Sequence, residues 1–448
     1  MKVVLAKPCW DYPKGPSEST YNRVWPPLEL ANCAAILIRA GHEARIVDAQ
    51  ALGLSPFDLA SHVEGADLVI LTSTGLDRWQ CPYNDPKPFA AAARAIENTG
   101  VKLAVTGFHG TVAPATVLGQ TGADIVIRGE PEGAVADIAA GKPIADVAGV
   151  TFARAGQIVS NPVRPLLDLA TLPTPAFELF DLTRYFYEIL GDRFLLLEAT
   201  RGCPYQCSFC AKAMYGGEFR RKTPEQMRLE IDHALKTTPV RTAYFIDLEF
   251  TVARDLAKEI CLHLISRGSP LRWCCQTRAD NLDEEMVDWM KGAGCRLVHV
   301  GVESGAPHIL ERSGKGTSKD AILKGVRMLE KAGIETLAFF MFGLPGETDE
   351  DREETVRFAM ELEPTYASFH FATPYPGSKL FEEAGLAIGE DMSVPLVLPD
   401  AKIEDLKVWV SNAVRRFYVR PWYIVRHLAK GGPSNWRRQF RLFMSYLR

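Results

Sequence analysis

Short β-branched runs alternate with stretches of helical spacing through the first third of the chain. Strands are predicted at 2–6, 44–48, 67–72, 101–106 and 124–128, with helices near 27–41, 56–64, 87–99, 113–121 and 132–140 between them. Such alternation predicts a parallel sheet covered by helices on both faces over about residues 1–142. Gly41 stands where a helix would stop, and His42 in the following turn reads as structural. Next, Val147–Phe152 and Gln157–Ser160 flank Ala153-Arg-Ala-Gly156, which predicts a β-hairpin. Pro162, Pro165, Pro173 and Pro175 follow, so residues 143–194 read as a hairpin and an extended linker. A second alternating series has strands at 195–200, 242–247, 271–277, 296–302, 336–342 and 367–372 and helices at 224–237, 253–267, 283–293, 318–332 and 350–362. Six strand–helix units over 195–384 predict a partial (β/α)6 barrel with its chemistry at the carboxyl ends of the strands. The whole is an α/β chain of two domains, with a basic helical region at 385–448.

Alternation within strands sorts side chains by face. In Leu297-Val-His-Val-Gly-Val-Glu303 the valines share one face, suited to outer helices. Leu297, His299, Gly301 and Glu303 share the other, suited to a polar lumen. The same rule groups Gln276 with Arg278, and Phe245 with Asp247 and Glu249. Arg278 is a candidate carboxylate clamp, since a guanidinium pairs bidentately, or else an ion-pair partner of Asp280 or Glu284. His299 reads either as a ligand group or as a satisfied barrel histidine. In the first domain, ligands are expected at the carboxyl ends of the strands, where the loops 7–15, 72–81 and 106–114 lie.

Composition narrows the class. The 448 residues are 47% hydrophobic and 24% charged, as in a globular protein, and the net charge of −4 gives no global case for nucleic-acid binding. No apolar run is long enough to cross a membrane, and Lys2-Val-Val-Leu-Ala6 follows Met1 directly, leaving no room for a targeting peptide. A reducing cytoplasm is therefore the expected compartment. Charge is uneven: residues 407–448 hold ten Lys or Arg and no Asp or Glu, interleaved with aromatics. That region reads as a helix packed on the barrel with a basic outer face, or as a contact for an anionic substrate or a membrane surface.

Chemistry concentrates in Arg201-Gly-Cys-Pro-Tyr-Gln-Cys-Ser-Phe-Cys-Ala-Lys212. Cys203, Cys207 and Cys210 form a C-x3-C-x2-C triplet after the first barrel strand. Three thiolates can hold three irons of a four-iron cluster and leave one iron open. A structural zinc site would want four ligands, usually two separated pairs, and no second C-x2-C occurs. The triplet, with Phe209 before its third cysteine, resembles the cluster loop of radical S-adenosylmethionine (SAM) enzymes. That resemblance implies a [4Fe-4S] cluster whose open iron binds SAM and cleaves it to a 5′-deoxyadenosyl radical, with an electron from a flavodoxin- or ferredoxin-type donor. It also implies roles at matching positions. Asp247 and Glu249 would lie near the methionine amino group, and Gly301, Glu303 and Ser304 near the methionine or ribose. Gly343, in Phe342-Gly-Leu-Pro-Gly-Glu-Thr348, would lie near adenine.

The first domain resembles the cobalamin-binding, Rossmann-like domain that precedes the barrel in one branch of the family. The matching segments are Pro26–Ala31 with Gly41-His-Glu and Val47-Asp48, the loop Thr72-Ser73-Thr74, and Thr106-Gly107-Phe108-His109-Gly110-Thr111 with Asp124–Glu130. The resemblance implies that 72–74 and 106–111 hold the nucleotide tail of cobalamin. There is one departure: the loop after the first strand contains no histidine to ligate cobalt. Trp10, Asp11, Tyr12 and Arg78 are candidates to approach its lower face.

The expected activity is methyl transfer to an unactivated carbon of a small-molecule, glycan or lipid-linked substrate. Oxidation, cyclisation or rearrangement with the same cofactors is the alternative, and a non-catalytic carrier a third. An RNA-modifying methylthiotransferase would need a second cysteine triplet upstream, and none is evident.

Overall fold

The computed structural model describes residues 1–10, 24–75, 85–215 and 217–429. A seven-stranded sheet opens the chain: β1 (Lys2–Lys7), β2 (Glu43–Asp48), β3 (Leu68–Thr72), β4 (Leu103–Thr106), β5 (Ile125–Ile127), β6 (Val150–Arg154) and β7 (Gln157–Ser160), in the order β2-β1-β3-β4-β5-β6-β7. The first five strands run parallel, and β6 and β7 turn antiparallel. Strands β1, β3, β4 and β5 read as near-continuous apolar runs because helices pack on both faces, while the edge strand β2 exposes Glu43 and Arg45. The 147–160 hairpin, expected to be part of the linker, belongs to this sheet instead: Val126 pairs with Thr151, and the apolar Val150 and Phe152 continue the core. His42 is structural as expected, with Nε2 3.1 Å from the Ala139 carbonyl.

Two small ribbons, β8 (Phe186–Tyr187) with β9 (Gly191–Asp192) and β11 (Thr200–Arg201) with β12 (Arg220–Arg221), flank the second sheet. That sheet comprises β10 (Phe194–Leu197), β13 (Thr242–Phe245), β14 (Arg272–Thr277), β15 (Cys295–Glu303), β16 (Glu335–Phe342) and β17 (Tyr366–Phe371), all parallel and in chain order. Its two end strands do not pair with each other, so the barrel is open, as the six predicted units imply.

Strand parity holds where the strand is long. Val298, Val300 and Val302 are fully buried outward, while His299 and Gly301 line the inner face. It fails for Phe245, which packs outward against Trp273 and Phe250. β13 ends at Phe245 and the chain turns, so the alternation does not carry on to Asp247 and Glu249. Among the described residues the basic region forms two helices, Ile403–Tyr418 and Pro421–Ala429, split where Pro421 starts the second. The first packs Leu406, Val410, Ala413 and Phe417 against the barrel. No helix among the described residues is long and apolar enough to cross a membrane.

Candidate active site

The cysteine loop leaves β11 at the carboxyl end of β10. Gly202, at φ +78°, makes the turn possible, since a Cβ there would fall 1.9 Å from the Glu218 carbonyl oxygen. The loop is held from three sides. Ser208 N donates to the Ser313 carbonyl (2.9 Å), Leu380 N donates to the Ser208 carbonyl (2.9 Å), and Lys212 Nζ donates to the carbonyls of Cys203 and Tyr205. Tyr205 bonds Asn281 (2.8 Å) and lies under the Arg278 guanidinium, 4.0 Å from its ring centre. Phe209 packs into the apolar group of Ala306, Ile309, Leu344, Ala372 and Leu380. Burial pushes the Cys203 thiol up and the Cys210 thiol up to about 12, and Cys207 adds to both shifts, so the three sulfurs are neighbours. Among the described residues no three His, Cys, Asp or Glu groups are drawn to metal-ligating distances. Buried thiols of raised pKa become thiolates when a cation compensates them, and three soft donors in one loop fit iron.

The lumen above the loop is polar. Glu303, held at φ +68°, accepts from Lys315 Nζ at 2.8 Å. Burial alone would lower the Lys315 ammonium; Glu303 and Cys207 outweigh it and hold it above its ordinary value. A side chain at Gly301 would meet both partners, at 2.3 Å from Glu303 Oε1 and 2.6 Å from Lys315 Nζ. Lys315 went unremarked in the sequence, although it stands between Gly314 and Gly316 at a turn against the cysteine loop. The Arg278 alternatives resolve toward the ion pair: its Nε and Nη2 donate to Asp280 at 3.0 and 2.6 Å, and its remaining donors reach the Lys315 and Gly316 carbonyls. His299 is a satisfied barrel histidine, between the Tyr187 (2.8 Å) and Tyr244 (3.2 Å) hydroxyls. His370 is a second missed residue. Register with Met341 puts it on the inner face, and burial lowers its pKa to about 4, so it is neutral near pH 7.

Asp247, Glu249, Ser304 and Gly343 hold the strand ends in shape. Asp247 accepts from Thr200 Oγ1 (2.5 Å) and Ala199 N (3.3 Å). Glu249 accepts from Thr251, Thr277, Asn281 and Arg278 N. Ser304 meets Thr355 (3.1 Å), and Gly343, at φ +89°, donates to Glu347 (2.5 Å). Burial raises Asp247 to about 7. A carboxyl raised in the folded state gives stability that is full below about pH 4 and lost as pH rises through about 7. Asp247→Asn is expected to remove that decline, so denaturant unfolding of the variant loses less stability between pH 5 and 8 than the parent.

In the first domain the two candidate loops brace each other. Ser73 Oγ donates to the Thr106 carbonyl (2.8 Å) and accepts from His109 N (3.1 Å), and Phe108 N donates to Thr74 Oγ1 (3.2 Å). Thr72 donates to buried Glu29. Gly107, at φ +96°, allows the approach, since a Cβ would lie 2.5 Å from Thr74 Oγ1. His109 is an internal brace rather than an open loop residue: Nδ1 bonds the Ser73 carbonyl (2.9 Å) and the ring stacks with Trp10 and Phe89. Trp10 is buried in that stack. Asp11, Tyr12, Arg78 and the Trp79–Pro82 segment lie outside the described residues.

These loops adjoin the cysteine loop. Thr111 Oγ1 sits 3.1 Å from Met214 Sδ, and Phe108 packs with Met214 and Tyr215. Gly110 touches Val126, where a Cβ would stand 3.0 Å away. Beside them Arg201, whose side chain is wholly buried, reaches Glu132 (2.6 Å), Glu198 (2.9 Å) and Glu130 (3.4 Å), and Arg220 grips Glu130 at 2.7 Å. Arg201, two residues before Cys203, is therefore ionically fastened to the first domain.

Residues 197–359 match the Radical SAM superfamily model, a span that holds the cysteine triplet and strands β13 to β16. That span of the chain is a radical SAM domain. Enzymes with this domain act with a reductant. The chain is 29% identical to the protein named uncharacterized methyltransferase PH0819 of Pyrococcus horikoshii, covering 96% of this chain and 95% of that one. It is 27% identical to the anaerobic magnesium-protoporphyrin IX monomethyl ester cyclase of Rubrivivax gelatinosus, over 95% of this chain and 78% of that one. Its fold matches the cobalamin-dependent SAM radical enzyme OxsB, solved with aqua-cobalamin and SAM, at a TM-score of 0.74 and 16% identity, covering 100% of this chain and 71% of that one.

Proposed function

We propose that this radical SAM enzyme uses cobalamin as well as a [4Fe-4S] cluster, and transfers a methyl group from SAM to an unactivated carbon of a small organic substrate. The observation that carries the reading is the direct contact of the 106–111 loop with the residues that follow the cysteine triplet, at Thr111 and Met214. A fold match to OxsB over the whole of this chain, and a likeness along nearly the whole chain to the protein named uncharacterized methyltransferase PH0819, support it.

Cys203, Cys207 and Cys210 would hold the cluster, and Thr72–Thr74 with Gly107–Thr111 would hold cobalamin. Thr106 Oγ1, buried and without a hydrogen-bond partner, is a polar atom left for a ligand in that second place. When bound, these groups supply radical generation and methyl transfer. The protein's own share is orientation and exclusion of water. Lys315 and Glu303 set opposite charges beside Cys207, where the amino-acid end of SAM carries both signs. Neutral His370 gives the lumen a hydrogen-bonding group that carries no charge.

Reaction without methyl transfer is a second reading, favoured by the cyclase similarity over 95% of the chain. Trideuteromethyl SAM separates the two. With excess reductant, the loaded enzyme and metabolite extract are expected to give S-adenosylhomocysteine and a product heavier by about 17 Da, the mass of CD3 replacing H. Formation of 5′-deoxyadenosine with neither of these would establish the second reading.

A further inference from the structure

The lumen of the barrel is filled at one level and open at the next. Register sets His299, Leu337 and Tyr366 side by side on the inner face, and all three are buried. His299 is locked between two tyrosine hydroxyls, which closes the floor. Nearer the carboxyl ends of the strands, the inner-face residues Gly301, Phe339, Met341 and His370 are each only partly buried. Their outward neighbours Ala338, Phe340 and Phe342 are fully buried, so this exposure belongs to the lumen side.

These groups form a slot of mixed chemistry beside the cysteine loop. The Phe339 and His370 rings lie 5.7 Å apart, tilted by 33°. Met341 packs on the same apolar group as Phe209, and a Cβ at Gly301 would meet the Lys315–Glu303 pair, so the slot adjoins the site on two sides. His370 is fixed through one nitrogen: Nε2 lies 2.7 Å from the hydroxyl of buried Ser368. Among the described residues nothing bonds its Nδ1. A polar atom withdrawn from bulk water and left without a partner costs stability, and a ligand that serves it recovers that cost. The nearby cations are already engaged, Lys315 with Glu303 and Arg278 with Asp280. Burial lowers His370 to about 4, so it carries no charge near pH 7 either. An ionised phosphate or carboxylate placed against it would lose hydration without gaining a counter-charge.

We propose that His370 selects the substrate: its Nδ1 bonds an uncharged group, such as a hydroxyl or an amide, on a neutral molecule whose apolar part lies against Phe339 and Met341. Selection of this kind rests on the lumen being the chamber of a radical SAM enzyme, as proposed above, and holds with or without methyl transfer. The test uses the reduced holoenzyme, trideuteromethyl SAM and a metabolite extract divided by ion exchange near pH 7 into anionic, cationic and neutral fractions. The neutral fraction is expected to stimulate 5′-deoxyadenosine release. Stimulation by a charged fraction instead, or by none, would overturn the substrate class. Two variants then separate the nitrogens, since an asparagine amide stands where Nδ1 does and a glutamine amide where Nε2 does. His370→Gln keeps the Ser368 bond and is expected to need about tenfold more of the neutral fraction for half-maximal release, the worth of one hydrogen bond. His370→Asn is expected to stay within about threefold of the parent. Equal loss in both variants with unchanged circular dichroism, or no loss in either, would overturn the role of Nδ1. The methyl-transfer reading fails separately, if the neutral fraction stimulates nucleoside release with no S-adenosylhomocysteine and no labelled product.

Discussion

Replacing any one of Cys203, Cys207 or Cys210 by alanine is expected to bring reductive release of 5′-deoxyadenosine down to background, with the fold intact. All three sulfurs lie in one loop whose backbone is pinned by Ser313, Leu380 and Lys212, so the loop survives loss of one side chain. Among the described residues no spare thiol lies in that loop to replace it. Among the remaining described cysteines, Cys274, Cys275 and Cys295 are wholly buried in the barrel core, Cys261 sits in the helix Arg254–Ser266, and Cys33 and Cys9 lie with the first sheet. Losing an outer partner of a metal ligand costs about 10- to 100-fold, and loss of a ligand itself exceeds that. Iron and sulfide content and nucleoside release, measured on each variant beside a circular dichroism spectrum, check the prediction. A variant that keeps parent-level iron and nucleoside release would remove that cysteine from the ligand set.

Arg201→Ala is expected to cost about 3–5 kcal/mol of stability, the range for removing one partner of a buried ion pair. The side chain is inaccessible and faces Glu132, Glu198 and Glu130, and the alanine leaves Arg220 as the guanidinium on Glu130 alone. Most of the cost is the burial of carboxylates without compensation, so neutralising them together should recover much of it. The triple variant Arg201→Met, Glu132→Gln, Glu198→Gln is expected to be more stable than Arg201→Ala alone. Arg201→Lys should fall between, because an ammonium cannot reproduce the fork that serves Glu132 and Glu198 at once. Anaerobic denaturant unfolding reads all three. A loss below about 1 kcal/mol for Arg201→Ala would mean that water reaches the junction and the pairs behave as surface pairs.

The architecture was legible because the barrel strands and β1, β3, β4 and β5 are parallel and largely buried, which writes them as apolar runs between helical stretches. The cysteine loop was legible because three ligands must come from one short segment. Side-chain partners were not. Parity groups Asp247 and Glu249 with Phe245, yet β13 stops at Phe245, and where a strand ends depends on what the turn packs against. Arg278 offered two readings of equal sequence support, and Asp280, two residues on, took the guanidinium. His109 reads as a loop residue because its carbonyl partner, Ser73, comes from the loop after β3, 36 positions away. Lys315 and the partners of Arg201 were hidden for the same reason: ion pairs formed by tertiary contact leave no period in the chain. The 147–160 hairpin had its strands read correctly, but its membership of the first sheet depends on β5, whose three residues pair it on one edge.

The central claim is that one chain holds an iron–sulfur cluster with an open iron in its barrel and cobalamin in its first domain. The most direct measurement is metal and cofactor analysis of protein reconstituted without air, followed by addition of SAM and a strong reductant. About four irons and about one cobalamin per chain, with 5′-deoxyadenosine appearing on reduction, is the predicted result. Zinc in place of iron, or no retained corrinoid and no nucleoside, would contradict it.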